Sequence, residues 1–373
     1  MRTEICKKLR IEFPIFAFTH CRDVVAAVTN AGGIGVLGAT GFSPEQLEVE
    51  LNWIDSKVGD KPYGVDIIIP NKYEGQDVRD PEKMMSIVQA AIPQRHRDFA
   101  RQLLDDNGVP SLPEGKKVEE HMSMTQLTAA PLIDIALQHD NVKLIANALG
   151  TPPPEIVKQI QDSGRLVGAL CGKPKHAQHH VDAGLDFIIA QGGEGGGHTG
   201  DIGSVVLWPE VVKVAGDIPV LAAGGVGTGE QMAAALALGA QGVWSGSIWL
   251  TVTEAETSQT VKDLMFDATS SDTVRSRSFT GKSVRMLRNA WTEGWETEDN
   301  PEPLGAPMQM MLTSESVGRI LRYPDQAKAV SFAPVGQIVG KMTSTISAKD
   351  QVMEMVTGYL DATERLTGLL ELE

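Results

Sequence analysis

The stretch QGGEGGGHTG, residues 191–200, places one titratable ring inside a run of glycines. Histidine changes its charge near neutral pH, so His198 could accept or donate a proton in a reaction. Glycine is kept where the backbone must approach another group closely, and Gln191 offers both a donor and an acceptor to the edge of a heterocycle. The stretch therefore predicts a loop that holds a flat ligand beside an acid–base group.

Two further loops combine small residues with the end of an apolar run. Residues 222–231, AAGGVGTGEQ, lead into a helical pattern, and residues 244–247, WSGS, end the next apolar run. Backbone N–H groups that glycine leaves accessible near the start of a helix bind anions. Because two such loops follow successive strands, they predict a phosphate site.

Other side chains could take part in the chemistry. His20 follows the first apolar run, and Lys175 follows the fifth, where a cation could neutralise an anionic ligand. Asp66 lies in an apolar run, where a charge requires a partner. Three histidines share the i, i+3, i+4 spacing of a metal-binding helix face: His176, His179 and His180. A solvated helix face is the favoured interpretation of that triplet, and no metal is predicted.

The elements that position these loops alternate in a regular way. Amphipathic helical stretches separate eight short apolar runs, which lie at residues 12–18, 34–39, 63–70, 142–149, 165–171, 186–191, 218–224 and 241–247. Near-continuous apolar strands alternating with helices indicate an α/β protein with a parallel sheet. Eight such units predict a (β/α)8 TIM barrel, with a doubly wound open sheet as the alternative. In a barrel the three loops would meet at the carboxyl ends of the strands.

The alternation of predicted strands and helices divides the chain into parts. Residues 1–70 and 141–250 form the predicted barrel. Residues 71–140 break the alternation and predict an inserted helical cap over the active site. Residues 251–330 predict a smaller substrate-side segment, and residues 331–373 a C-terminal helix that packs back on the barrel.

Bulk properties exclude several classes. The formal net charge of −15 disfavours nucleic-acid binding. Three cysteines without a CxxC pair indicate neither a zinc site nor a disulfide framework, and a cytoplasmic location is expected. No stretch approaches the roughly 20 apolar residues of a membrane helix. Residues 33–38, GIGVLG, match a dinucleotide motif, but a helix precedes the match and a strand runs through it, the reverse of the required order.

Three segments together resemble the nitronate monooxygenase (2-nitropropane dioxygenase-like) flavoproteins: IIAQGGEGGGHTG, AAGGVGTGEQMAAALALGAQGVWSGS and NAGGIGVLGA. The resemblance covers about residues 9–250, with weaker echoes in SFTGKSVRMLRNAWT and PVGQIVGKM. It is poorly specific for substrate, because related FMN-dependent enoyl reductases of fatty-acid synthesis carry a similar glycine–histidine loop. It implies an FMN-dependent oxidoreductase whose barrel binds FMN across its carboxyl-end mouth.

The resemblance also implies residue roles. His198 would be the catalytic histidine, with His20 and Glu194 on the substrate side. The implied cofactor contacts are Ala17, Phe18, Thr19, Asp66, Asn147, Lys175, Gln191, Gly196, Gly197, Ala223, Gly224, Gly225, Ser245, Gly246 and Ser247. Within that set Gln191 and Asn147 would face the isoalloxazine ring. Gly224, Gly225, Gly246 and Ser247 would hold the phosphate.

Two positions depart from the family pattern. Residues 16–20, FAFTH, stand where these enzymes typically carry a proline–methionine pair, so Thr19 or His20 would replace a flavin contact. Asp66 stands where the pattern has an asparagine. These departures, together with the long 71–140 segment, leave the flavin implied and the substrate open.

Three functions remain open at this point. In the leading hypothesis an alkyl nitronate and O2 give a carbonyl compound and nitrite. In the second, the same flavin serves a reductase or desaturase of an enone or enoyl thioester, acyl-CoA included, with NAD(P)H as one reductant. The third is a non-catalytic flavin or phosphosugar binder. The expected partners are a small-molecule substrate and O2, with a homodimer as one allowed assembly.

Overall fold

The computed structural model describes residues 1, 3–69, 81–113 and 126–370, without the side chains of 81–85 and 126–128. Its strands are β1 (Ile15–Thr19), β2 (Ile34–Gly38), β3 (Tyr63–Asp66), β4 (Val142–Asn147), β5 (Leu166–Cys171), β6 (Phe187–Gln191), β7 (Gly197–His198), β8 (Val220–Ala223), β9 (Gly242–Ser245), β10 (Thr273–Ser276) and β11 (Val284–Leu287). Its helices are α1 (Glu4–Leu9), α2 (Arg22–Asn30), α3 (Pro44–Val58), α4 (Pro81–Ala91), α5 (Gln94–Asp106), α6 (Gln126–Ala136), α7 (Pro154–Asp162), α8 (Pro174–Asp182), α9 (Ser204–Ala215), α10 (Gly229–Ala237), α11 (Gln259–Phe266), α12 (Ala290–Glu296), α13 (Met308–Arg322) and α14 (Ala348–Gly368). Short 3-10 helices lie at Ser247–Leu250, Ser270–Asp272, Lys328–Val330 and Gln337–Lys341.

Eight parallel strands close into a barrel in the order β1-β2-β3-β4-β5-β6-β8-β9, and β9 pairs back with β1. Each predicted strand is present, so the (β/α)8 prediction is confirmed and the open-sheet alternative is wrong. Gln191 pairs with Ala223 across β6 and β8, and Ala17 pairs with Ser245 across β1 and β9. The carboxyl ends of these strands therefore form one rim, from which the predicted loops leave.

Side-chain alternation fills the barrel interior up to that rim. Phe16, Val36 and Leu144 belong to the interior cluster. Phe18 stacks on Trp244 with ring centroids 6.2 Å apart and planes at 22°. The packed interior leaves the mouth above this aromatic pair as the place for a ligand.

Helices α3 and α14 of the outer layer are held by local contacts. Ser43 caps α3, since its hydroxyl accepts a hydrogen bond from the Gln46 backbone N–H while the Gln46 side chain accepts from the Ser43 N–H. The C-terminal helix α14 lies against α10, where a Cβ at Gly229 would come within 2.1 Å of the Tyr359 nitrogen. The two helices therefore pack backbone against backbone.

The described elements of residues 71–140 lie in two places. Ile133 of α6 packs with the outer-layer side chains of α3, as the helix between β3 and β4 of the barrel. Leu104 of α5 instead joins a separate cluster that contains Trp295 of α12. We propose that the inserted part of the chain ends before Gln126 and that α6 belongs to the barrel.

Candidate active site

The glycine loop, residues 191–200, leaves β6 and lies beside the end of β8. The Gly192 N–H donates to the Ala223 carbonyl at 3.0 Å, and the Gly193 N–H donates to the Ile202 carbonyl at 2.8 Å. A Cβ at Gly224 would lie 2.7 Å from the Gly192 nitrogen. The structure therefore brings the glycine loop and the loop after β8 into direct backbone contact at the rim.

Unpaired backbone donors line the ends of β8 and β9. Within the described residues, the N–H groups of Gly224, Gly225, Gly246 and Ser247 donate to no protein acceptor. Gly224 and Gly225 have φ values of +97° and +72°, and a Cβ at Gly246 would meet nothing closer than Phe18 at 3.7 Å. The two predicted loops thus present N–H groups beside open space, which suits an anion.

The two residues just before α10 are not part of that donor set. The Gln231 side chain accepts from the N–H groups of Gly227 and Thr228 at 2.8 and 3.0 Å. It also donates to the Gly225 carbonyl at 2.8 Å. Gln231 therefore occupies the two N–H groups just before α10 and fixes the turn that leaves Gly224 and Gly225 unpaired.

His198 is held by a strand pair rather than by a loose loop. It lies in β7 opposite Val284 of β11, and its Nδ1 is 3.3 Å from the Ser283 carbonyl oxygen. Its side chain is exposed to solvent, although protein atoms pack around the ring. This packing lowers the pKa of the imidazole, the Ser283 carbonyl opposes the shift, and Lys282 adds to it. When Nδ1 donates to Ser283, Nε2 remains as the acceptor of a neutral base.

Two arginines of the β10-β11-β7 sheet anchor the glycine loop. The Arg285 Nε donates to the Gly193 carbonyl at 2.9 Å, and its Nη1 donates to the Thr273 hydroxyl at 3.0 Å. Arg275 binds the Asp201 carboxylate and the Thr199 carbonyl at the other end of the loop. Sequence reasoning missed this sheet, because two-residue β7 carries no alternation signal.

Residues 335–337, which we call the strap, cross the glycine loop. The Gln337 N–H donates to the Glu194 carbonyl at 2.9 Å, and the Gly336 N–H donates to the Ser247 hydroxyl at 2.9 Å. A Cβ at Gly196 would lie 2.8 Å from the Gly336 nitrogen. The strap therefore ties the glycine loop to the end of β9 and requires glycine at 196.

Glu194 serves the start of α9. Its two carboxylate oxygens accept from the Ser204 backbone N–H at 3.1 and 2.9 Å and from the Ser204 hydroxyl at 2.8 Å. A carboxylate at the N-terminus of a helix is favoured by the helix dipole. This geometry favours a structural role for Glu194 over the substrate-side role suggested by the sequence.

Asn147 is likewise occupied within the protein. Its Oδ1 accepts from the N–H groups of Ile69 and Leu149 at 2.9 and 3.1 Å. Its Nδ2 donates to the carbonyls of Ile69 and Gly150 at 3.0 and 2.9 Å. The fully buried amide joins the chain after β3 to the chain after β4, which favours a positioning role over a direct ring contact.

The end of β1 contributes an aromatic wall. The His20 ring meets the Phe18 ring edge-on at 5.2 Å, and its Nδ1 lies 2.9 Å from the Gly38 carbonyl oxygen. The Thr19 hydroxyl accepts from the Cys21 N–H at 3.1 Å. Phe18, Thr19 and His20 therefore share the rim with the glycine loop.

The remaining predicted contacts differ in their surroundings. Ala17 and Ala223 are buried strand residues, and Ser245 accepts a hydrogen bond from the Trp249 indole at 3.1 Å. Lys175 is exposed on the first turn of α8. Burial raises the pKa of Asp66, at the end of β3, to about 7.

The histidine triplet of α8 is only partly solvated. His176 and His179 are exposed, whereas His180 is 1% exposed. The His180 ring bonds the Leu170 carbonyl at 3.1 Å and the Thr151 hydroxyl at 2.9 Å. The interpretation of all three as a solvated face is wrong for His180, which fastens α8 to β5.

No helix in the described ranges combines the length and apolar character that a membrane span requires.

Comparison with known proteins adds an independent finding. The family model described as "Nitronate monooxygenase" matches residues 2–358. The chain belongs to the nitronate monooxygenase family.

Individual relatives agree with that assignment. The chain is 48% identical over 377 residues, all of both chains, to "Putative monooxygenase Rv1533" of Mycobacterium tuberculosis (strain ATCC 25618 / H37Rv). It is 27% identical over 330 residues to "Probable nitronate monooxygenase" of Staphylococcus aureus (strain MSSA476), covering 84% of this chain and 85% of that protein. The solved nitroalkane oxidase of Streptomyces ansochromogenes superposes with a TM-score of 0.78 at 24% identity, covering 97% and 99% of the two chains, and shows the shared fold.

Family membership makes the protein an oxidoreductase, and the members of this family are flavoenzymes. The described residues fit a flavin on their own account. Unpaired N–H groups at Gly224, Gly225, Gly246 and Ser247 suit a phosphate, and the Phe18 ring offers an apolar wall at the same rim.

Proposed function

We propose that the protein is an FMN-dependent nitronate monooxygenase, which oxidises alkyl nitronates with O2 to a carbonyl compound and nitrite. One observation carries the proposal: His198, on a braced strand, belongs to the same loop that packs against the unpaired donors after β8. Family membership supports the reaction type.

The donor cluster at the ends of β8 and β9 supports FMN as the flavin. FMN carries one phosphate, and the N–H groups of Gly224, Gly225, Gly246 and Ser247 provide one anion site. The dinucleotide-like residues 33–38 lie along β2 rather than at a strand-to-helix turn. When bound, FMN would supply the electron transfer between the substrate and O2.

His198 would move a proton or stabilise charge. The lowered pKa of its imidazole favours the neutral form at pH 7, which suits a base that removes the proton from the carbon next to the nitro group. A preformed nitronate has already lost that proton. The base function of His198 should therefore matter for neutral nitroalkanes and much less for nitronates.

The test compares wild-type protein with His198→Ala on a nitroalkane and on the matching nitronate, following nitrite release and O2 uptake. Loss of a positioned base should reduce the nitroalkane rate by about 10²–10⁴-fold, with a smaller loss on the nitronate. His179→Ala, an exposed histidine of α8, is the matched control. If wild-type protein releases no nitrite from either substrate, the proposed reaction is rejected. If His198→Ala loses the same fraction of the rate on both substrates, the base role is rejected.

The competing function is either reduction of an enone or enoyl thioester or the reverse reaction, α,β-desaturation of the saturated compound. The reductase predicts NAD(P)H oxidation that depends on the unsaturated substrate, the desaturase predicts flavin reduction by the saturated substrate, and neither predicts nitrite from nitronates. The homodimer, the cytoplasmic location and the cap role of the inserted segment remain predictions from the sequence.

A further inference from the structure

Asp66 faces the inside of the barrel at its rim. Tyr63 and Val65 of β3 pack outward in the cluster that contains α3 and α6. A Cβ at the intervening Gly64 would lie 2.5 Å from the Leu144 side chain, which belongs to the interior. Since side chains alternate along a strand, Asp66 shares the inner face and lies at its carboxyl end.

Among the residues that the structure describes, the Asp66 carboxyl group has no protein partner. Asp66 is 2% exposed, and among the described residues no side chain or backbone N–H donates to its carboxyl oxygens. Its neighbours in register, Gly38 on β2 and Ala146 on β4, carry no polar side chain. The end of β1 contributes a titratable side chain to this part of the rim, since the His20 ring lies against Gly38, the register partner of Asp66.

Its surroundings favour the protonated form. Desolvation alone raises the pKa of Asp66 to about 7, without a contribution from any charged group. A neutral carboxylic acid carries one O–H donor, whereas a carboxylate can only accept. An unpaired buried donor that faces a ligand-binding mouth requires an acceptor, and a ligand in that mouth would supply one.

We propose that Asp66 binds the flavin ring as a neutral carboxylic acid, donating its O–H to a ring acceptor, so that loss of this proton weakens flavin binding. The inference rests on the proposed function, because it takes the flavin to lie in the barrel mouth. Flavin affinity should be full below the pKa of Asp66 and fall as the pH rises through it. If only the neutral form binds, the dissociation constant rises tenfold for each pH unit well above that pKa.

Asp66→Asn tests the idea directly, since an amide donates an N–H at every pH. Apo-protein is titrated with FMN between pH 5.5 and 8.5, and binding is followed by quenching of flavin fluorescence. The ratio of wild-type to Asp66→Asn dissociation constants cancels the ionisation of the FMN phosphate. Asp217→Asn, an exposed aspartate in the turn before β8, is the matched control.

The expected result is a wild-type to Asp66→Asn ratio that rises by about tenfold per pH unit at the alkaline end, while the Asp217→Asn variant follows wild type. A ratio that stays constant across the range, with FMN bound by both proteins, overturns the role of Asp66 and leaves the proposed function intact. Failure of wild type to bind FMN at any pH overturns both.

A second measurement covers the case in which Asp66→Asn does not fold. Infrared difference spectra of wild-type apo-protein between pH 6 and pH 9 should show the carbonyl stretch of a protonated carboxylic acid being lost, because bound flavin would hold the proton on Asp66. Absence of that band at pH 6 overturns the inference.

Discussion

Substituting Gly224 by alanine should damage both stability and cofactor binding. Gly224 has φ +97°, and an added Cβ would lie 2.7 Å from the Gly192 nitrogen and 2.7 Å from the Ser204 hydroxyl. The unfavourable backbone conformation costs about 1–2 kcal/mol for a non-glycine residue. Overpacking against fixed backbone adds roughly 1–3 kcal/mol. The free energy of unfolding should therefore fall by about 2–5 kcal/mol.

Gly164→Ala is the matched control. Gly164 has φ +78° between α7 and β5, but an added Cβ there would meet nothing within 4 Å. Gly164→Ala should lower the free energy of unfolding only through the unfavourable backbone conformation, by about 1–2 kcal/mol. Urea unfolding of the two apo-variants measures the difference, and FMN titration should show weakened binding for Gly224→Ala only. Equal destabilisation, or unchanged FMN affinity in Gly224→Ala, would refute the packing argument.

Three further predictions concern the groups that hold the loop. Glu194→Gln replaces charge-assisted hydrogen bonds to Ser204 by neutral ones and should lower the free energy of unfolding, measured in urea, by about 1 kcal/mol. The control Glu210→Gln, at an exposed position of α9, should leave it unchanged, and equal effects would contradict the capping role. Arg285→Lys loses the Nε donor to the Gly193 carbonyl and should weaken FMN binding about tenfold in a fluorescence titration, the equivalent of ~1.4 kcal/mol; unchanged affinity would show that the loop needs no such anchor. Lys282→Met removes a positive charge that lowers the pKa of His198, so the rise of nitroalkane turnover with pH should move to higher pH. A shift to lower pH would contradict the assignment of His198 as the base.

The barrel was predictable because its signals are local. Each of the eight apolar runs and each intervening helical stretch occupies consecutive residues. The order of elements around GIGVLG was equally local, and it correctly places a strand there. Strand pairing then follows from the restricted connections of parallel sheets.

The supports of the site were not predictable in the same way. The pairing of His198 with Val284 and the contact of Gly336 with Ser247 join segments that are far apart in sequence. Neither β7 nor the strap has a periodic pattern. The sequence identified His198 and the glycines by residue type, but the partners that hold them depend on the completed fold.

Polar residues at strand ends were the hardest to interpret. Asn147 and Asp66 both end strands at the rim, and both were candidates for flavin contact. The structure uses both polar atoms of the Asn147 amide within the protein, whereas no described residue hydrogen-bonds the Asp66 carboxyl group. Both are short polar side chains at the carboxyl ends of neighbouring strands, so only their hydrogen-bond partners distinguish their roles.

Anaerobic mixing tests the central claim most directly. The purified protein is saturated with FMN, and its visible spectrum is followed after addition of an alkyl nitronate and, separately, of NADPH. The proposed function predicts bleaching of the flavin absorbance by the nitronate and not by NADPH. Bleaching by NADPH alone, or a protein that takes up no FMN, would contradict it.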